Sequence, residues 1–256
     1  MHIFAMMDMW EGISAMVDLL LPRTCAVCGR TLAVEERHLC GHCASDIPLT
    51  YNWSMATNEM ADKFNALIQR DLEDSEEFIY EPYSHAAALF FYKSGSEFRE
   101  ITRQLKYHGN IGLGRWAAKM LGDNLASSPL YRDVDLVIPV PLHWTRQWRR
   151  GYNQAAIIAR EVSTALGAEF EPNLLQRQRR TKTQTHLSVG DKALNVSGAF
   201  RINPRHKICK DGVTHLLLVD DVFTTGSTLN ESRKVLRSIY GPHVRISIAT
   251  LGYVGQ

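Results

Sequence analysis

The run Leu216-Leu217-Leu218-Val219, followed at once by Asp220-Asp221, constrains this 256-residue chain more than any other feature. Four consecutive aliphatic residues of this kind read as a strand buried on both faces, the habit of parallel sheets. Parallel strands need crossover connections, usually helical, so the run commits its surroundings to an α/β architecture. A helix is expected through Leu229, Ser232, Leu236 and Ile239, stopped by Gly241-Pro242. Between strand and helix lies the loop Asp220 to Thr228, containing Val222, Phe223, Thr224, Thr225, Gly226, Ser227 and Thr228. Loop amides and a helix N-terminus favour a phosphate, and the hydroxyls add donors. Gly226 lets the backbone approach closely or take a positive φ. The paired acids suit ribose hydroxyls, held directly or through a hard divalent cation. Capping by Thr225 or Ser227 accounts for the hydroxyls but not for two acids after an aliphatic strand. No Gly-Lys-Ser/Thr follows, so this is not a Walker loop.

Other segments repeat the alternation. Ala86 to Tyr92 reads as a strand, with helices around Phe98, Ile101 and Leu105 and from Leu113 to Leu125. Asp135 to Pro141 reads as a buried strand entering a proline-bounded loop, and Ile158, Val162 and Leu166 mark a helix that Gly167 ends. Val244 to Ile248 reads as a last strand. The expected class is α/β, a mostly parallel sheet flanked by helices, with a small cysteine-rich module before it. We expect that module with an N-terminal helix over 1–52, an acidic connecting segment over 53–84, and the α/β domain over 85–256.

Net charge is only +2, but between Glu59 and Glu81 eight acids stand against Lys63 and Arg70. That stretch is expected as a helix or a mobile excursion. The rest of the chain is correspondingly basic, which admits a polyphosphate or nucleic-acid partner. Trp10, Ile13, Val17 and Leu20 recur at helical spacing, ending before Pro22. No basic n-region precedes them, and no apolar run approaches the ~20 residues of a membrane helix, so a cytoplasmic chain without membrane insertion is expected.

Cys25-x-x-Cys28 and Cys40-x-x-Cys43 lie within 19 residues of one another. Two such pairs match a tetrahedral structural zinc with no open coordination position. Two pairs argue against a redox couple, and a cytosolic setting argues against disulfides. His38 and His42 read as exposed bystanders to the cysteines, with substitution for one of them as a ligand the alternative. The segment is too small to bury a core, so metal binding supplies its folding energy. Cys209, the fifth cysteine, has no partner spacing.

Two basic clusters remain. Arg146, Trp148, Arg149, Arg150 and Tyr152 mix cations with aromatics, which suits phosphate contact and base stacking in a nucleic acid. The competing reading packs Trp144 and Trp148 inward and leaves the arginines solvated. The second cluster, Arg177, Arg179, Arg180, Lys182, His186 and Lys192, suits a mobile lid over a polyanion, or equally a solvated loop.

Leu217 to Thr228 resembles the PRPP-binding signature of type I phosphoribosyltransferases. Together with the cysteine pairs, Arg149-Arg150-Gly151-Tyr152-Asn153-Gln154, Arg180-Thr181-x-Thr183-Gln184-x-x-Leu187, Asn195 and Ala199-Phe200, the chain resembles the ComF family of competence proteins. The motif order is also similar to the transferase half of glutamine phosphoribosyl-pyrophosphate amidotransferases, without their glutaminase nucleophile. The resemblance implies a zinc ribbon-like N-terminus, a type I phosphoribosyltransferase fold and a role in handling incoming single-stranded DNA. Under it, Thr224 to Thr228 take the 5′-phosphate of PRPP or a related phosphoribosyl ligand. Asp220 and Asp221 take the ribose hydroxyls as the catalytic acids, and Mg²⁺ accompanies PRPP. Pro141, Leu142 and His143 line the pyrophosphate side, and Arg177, Arg180 and Lys182 close over it. Competence or helicase-like proteins are the implied partners. A metabolic phosphoribosyltransferase acting on a small base or amine is the alternative, and whether any turnover occurs is left open.

Overall fold

The structure is a computed structural model that describes residues 22–74, 80–93, 95–178, 198–207 and 211–255. The helix expected around Trp10 to Leu20, the second basic cluster beyond Arg177, and Cys209 lie outside the described residues. The chain divides into two compact units, Met1–Pro48 and Leu49–Gln256.

In the smaller unit, the backbone turns tightly between Thr24 and Thr31, which bridge as an antiparallel pair. Cys25 N–H donates to Arg30 at 2.7 Å, and Gly29 takes φ 72°. The Glu36 carboxylate accepts from Ala33 and Gly41 N–H groups, tying this turn to a short helix, α1 (Gly41–Ser45).

The larger unit opens with α2 (Glu59–Glu73), capped by Asn58, whose side chain accepts from Ala61 N–H at 2.9 Å. A five-stranded parallel sheet follows, built from β1 (Ala86–Phe91), β2 (Leu136–Pro139), β3 (Glu169–Phe170), β6 (His215–Phe223) and β7 (Arg245–Tyr253). Its order is β1-β7-β6-β2-β3, so the aliphatic run lies on the centre strand. A separate antiparallel hairpin pairs β4 (Leu175–Arg177) with β5 (Phe200–Ile202). The helices are α3 (Arg99–Tyr107), α4 (Ile111–Ser127), α5 (Trp144–Arg150), α6 (Gln154–Leu166) and α7 (Ser227–Tyr240). The α/β class expected from the sequence is therefore the one observed. This is the architecture that the phosphoribosyltransferase resemblance implies.

Strand alternation sorts the core into two faces. Leu216, Leu218, Ile138, Ile246 and Ile248 pack with Met60, Phe64 and Ile68 of α2 and Leu229 and Leu236 of α7. Val137 and Leu217 turn the other way, and α6 covers that face of β2 and β6. Helices α4 and α6 touch where Gly122 leaves space: a Cβ there would sit 2.9 Å from the Ala165 Cβ.

The acidic stretch is helical over Glu59–Glu73, and its acids are not idle. Asp71 accepts from Asn230 at 2.8 Å and Arg233 at 3.1 Å, and pairs with Lys234 at 2.8 Å. Both Glu81 oxygens take Arg233 at 2.8 and 2.9 Å, and Arg237 adds 2.7 Å. Arg233 is 2% exposed, so this clamp on α7 is a buried, multiply bonded ion cluster.

At the amino end of the sheet, the buried His215 ring bridges Asp133 (Nδ1 to Oδ1, 2.8 Å) and Ser247 (Nε2 to Oγ, 2.8 Å). Burial lowers its pKa below the ordinary value, and the Asp133 carboxylate only partly offsets this. The folded chain thus keeps the ring neutral where the unfolded chain, with a pKa of about 6.5, takes a proton. Stability present above that pH is lost as pH falls below it. Thermal unfolding followed from about pH 8 to about pH 5.5 should show a falling midpoint. The substitution His215→Gln should flatten that fall; an unchanged slope would remove His215 as its source.

Candidate functional site

Connections leave β2 and β6 in opposite directions, β3 lying beyond β2 and β7 beyond β6. Open α/β sheets bind ligands at such a switch point, outside the carboxyl ends of the strands. A cavity of about 330 Å³ lies there. Its walls come from the ends of β2 and β6, from α3, from α5 and the start of α6, and from β4.

The two acids stand on the strand itself, not in the loop that follows. β6 continues through Phe223 because β7 runs beside it, pairing Asp220 with Thr250, Val222 with Gly252 and Phe223 with Tyr253. The loop is thereby shortened to Thr224, Thr225 and Gly226. Asp221 N–H donates to Asp220 Oδ1 at 2.8 Å, and both acids line the cavity. Burial, and then the neighbouring Asp221 carboxylate, push the Asp220 carboxyl up to about 7.

Gly226 takes φ 75° as the N-cap of α7, and a Cβ there would meet the Phe223 ring at 2.9 Å and Leu67 at 3.0 Å. Both conformation and space therefore demand glycine. Thr225 Oγ1 lies 3.0 Å from Ser227 Oγ, and Thr224 and Thr228 line the cavity. The first-turn N–H groups of α7 have no intrahelical acceptor, which is the arrangement that receives an anion. Val222 also lines the cavity, whereas Phe223 is buried against Tyr253 at 5.8 Å.

From β2, Pro141 and Leu142 reach the cavity. His143 is buried and caps α5, its Nδ1 accepting from Thr145 N–H at 3.3 Å. Arg146 and Arg150 of α5 and Arg177 of β4 complete a cationic wall. Burial, and then Arg146, lower the Arg177 pKa below its usual value. The opposite face of α5 is open: Trp144 and Trp148 are 69% and 86% exposed, and Arg149 is exposed too. Inward packing of the tryptophans is thus not what occurs. The Tyr152 hydroxyl donates to the Leu105 carbonyl, and Arg150 stacks 5.0 Å from the Tyr107 ring centre. Arg180 and Lys182 lie outside the described residues.

Two features escaped the sequence reading. Lys106 of α3 reaches the acids, its Nζ 3.0 Å from Asp221 Oδ2. Nothing in its local pattern separates it from a solvated lysine near a helix C-terminus. A second recess of about 740 Å³ adjoins the first, sharing Pro141, Leu142, Asn153 and Arg177. The β4–β5 hairpin forms its far wall, with Gln147, Asn173, Gln176, Gln178, Asn203, Arg201 and Trp144 around it. A hairpin of three-residue strands set in a polar stretch carries almost no periodic signal. Buried Gln154 lines the first cavity, and its Nε2 meets no acceptor among the described residues.

The four cysteine sulfurs of the smaller unit lie within 4.8 Å of one another, with Cys28 and Cys40 Sγ 3.7 Å apart. Sulfurs bound to one zinc at about 2.3 Å are separated by nearly that distance. Burial opposes ionisation of Cys25, yet the backbone N–H groups of Cys28, Cys40 and Val27 bring its thiol down to about 6. The residues fit a structural zinc, held by Cys25, Cys28, Cys40 and Cys43. His42 pairs instead with Asp46 at 3.1 Å. Metal analysis should find one zinc per chain, and Cys40→Ser with Cys43→Ser should release it and expose 22–48 to protease. Full occupancy in that double variant would defeat the four-thiolate centre.

Among the described residues no helix is long and apolar enough to cross a membrane. Residues 16–53 match the family described as the double zinc ribbon domain. Competence protein F of Haemophilus influenzae is 35% identical over 144 residues, covering 54% of this chain and 61% of that protein. DNA utilization protein YhgH of Salmonella typhi is 37% identical over 102 residues, covering 40% of this chain and 43% of that protein. The matches thus span about half the length of these relatives. A glutamine PRPP amidotransferase from B. subtilis, solved with ADP and GMP, aligns at TM-score 0.33 and 21% identity. That alignment covers 52% of this chain and 26% of that one, a likeness too loose to carry an argument. The resemblance to the ComF family that the motifs carry is borne out by curated relatives named for competence and DNA utilization.

Proposed function

We propose that the chain binds PRPP or a related phosphoribosyl ligand at the switch-point cavity and acts in the cytoplasm in DNA uptake and utilization. The observation that carries this is the meeting, in one cavity, of the acid pair, the α7 N-terminus and the arginines from α5 and β4. Thr224 to Thr228 receive the 5′-phosphate, and the Asp220 carboxylate accepts from the ribose hydroxyls. Arg146, Arg150 and Arg177 face the diphosphate, whose own oxygens carry Mg²⁺. The Gln154 Nε2, which meets no acceptor among the described residues, adds a donor for a ligand oxygen. Arg180 and Lys182 are the lid candidates.

Single-stranded DNA meets the outer face of α5. There Trp148 offers a stacking plane, Arg149 a phosphate contact and Trp144 a second ring. The relatives named for competence and DNA utilization support a DNA-related role, though not a particular surface, and competence or helicase-like proteins are the partners we propose with it.

The adjoining recess favours a second reading, a phosphoribosyltransferase whose acceptor is a small base or amine. Carboxamides pair well with the donor and acceptor edge of a planar heterocycle. In that reaction the acceptor nitrogen attacks the anomeric carbon as the bond to the diphosphate oxygen breaks, and positioning and electrostatics supply most of the catalysis.

Calorimetry with PRPP and Mg²⁺ tests the site. Asp220→Ala with Asp221→Ala should weaken binding about a hundredfold or more, roughly 2.7 kcal/mol, without lowering helix content. Unchanged affinity would sink the assignment. For the DNA surface, Trp148→Ala with Arg149→Ala should cost about 1–3 kcal/mol of oligonucleotide affinity and lower the salt slope by about one. Retention of both quantities would clear α5 of any DNA contact.

A further inference from the structure

Lys106 stands where a hard cation would have to reach the acid pair. Its Nζ is 3.0 Å from Asp221 Oδ2, and both side chains are half-buried, at 22% and 16% exposure. Burial works against the ammonium, yet Asp221, then Asp220 and Tyr92, hold its pKa above the ordinary lysine value. Arg146, Arg150 and Arg177 line the same cavity, so the two carboxylates share it with four cations before any ligand arrives.

Mg²⁺ demands a nearly octahedral oxygen shell at about 2.0–2.1 Å and gives up its water reluctantly. Bound to Asp221 it would press against an ammonium already seated there, and the lining residues offer no carboxylate beyond Asp220 and Asp221. The donor set does not fit a divalent cation bridging the pair.

We propose that Lys106 takes the place of that cation, so that the site grips ribosyl hydroxyls between the Asp220 carboxylate and the Lys106 ammonium and binds a ribosyl 5′-phosphate without metal. The ammonium donates to hydroxyl oxygens while the hydroxyl hydrogens go to Asp220, a division of labour that one carboxylate and one cation satisfy completely. Asp221 then holds Lys106 in place instead of touching the sugar. A metal brought by a diphosphate stays on the diphosphate, across the cavity from the acids. This rests on the phosphoribosyl reading above and assigns a residue and a metal requirement to the same site.

The probe is ribose 5-phosphate, titrated calorimetrically into full-length chain. The buffer is cleared of free divalent cations on a chelating resin and compared with the same buffer plus Mg²⁺. Wild-type affinity should agree within about twofold between the two. Lys106→Met should lose about tenfold or more without Mg²⁺ and regain part of it when Mg²⁺ enters the vacated carboxylate, whereas Lys106→Arg should stay metal-independent. Wild-type binding that needs Mg²⁺, or a Lys106→Met variant unaltered in metal-free buffer, overturns the role of Lys106 and leaves the phosphate site standing. No ribose 5-phosphate binding by the wild type in either buffer overturns the site reading along with it. Should Lys106→Met fail to fold, the wild-type and Lys106→Arg comparisons decide the matter.

Discussion

Everything at the ligand end depends on how far β6 and β7 stay paired. Their ladder runs from His215 against Arg245 to Phe223 against Tyr253, carrying the centre strand past the acids before the chain is released. Because Asp220 and Asp221 are set in a hydrogen-bonded strand, their separation and orientation are fixed by the sheet rather than by a loop. The turn that remains is three residues long, and Gly226 alone absorbs the reversal into α7. A shorter ladder would leave the same residues in a flexible segment, and the carboxylates would repel one another apart. Here both stay on the strand, half-buried at the cavity wall and close enough for Asp221 to act on Asp220.

That concentration of negative charge accounts for the cationic surroundings. Burial at the foot of the cavity, and then the neighbouring Asp221 carboxylate, raise the proton affinity of Asp220, which is why that acid sits near neutrality. Lys106 answers Asp221 directly, while the arginines from α5 and β4 lie across the opening and are left to attract an incoming polyanion. Helix α5 consequently has two lives. Arg146 and Arg150 turn inward, and on the other side Trp148 and Arg149 face water.

Much of this was legible in the residues, for identifiable reasons. The aliphatic run at 216–219 and the acids after it announced a centre strand of a parallel sheet, because only burial on both faces tolerates such a sequence. The four cysteines declared their centre through spacing alone. What stayed hidden was long-range. Lys106 is about 115 positions from its partner Asp221, and no periodicity links the two. The β4–β5 hairpin consists of three-residue strands in polar sequence, too short to alternate visibly. The acidic segment could be read as a helix or as a loose excursion, because Met60, Phe64 and Ile68 are sparse markers among many charges. Its real anchor is Arg233, more than 150 residues away.

That anchor has a consequence for how such a chain can change over generations. Glu81 gives both its oxygens to Arg233 and shares one with Arg237, while Asp71 spans Asn230, Arg233 and Lys234. Losing Glu81 leaves the buried Arg233 guanidinium without its bidentate partner, on the helix whose first turn lines the cavity. These positions cannot drift singly. A neutral substitution at 81 or 233 is open only to a lineage that alters both together, so the far side of the helix inherits the strictness of the pocket it supports.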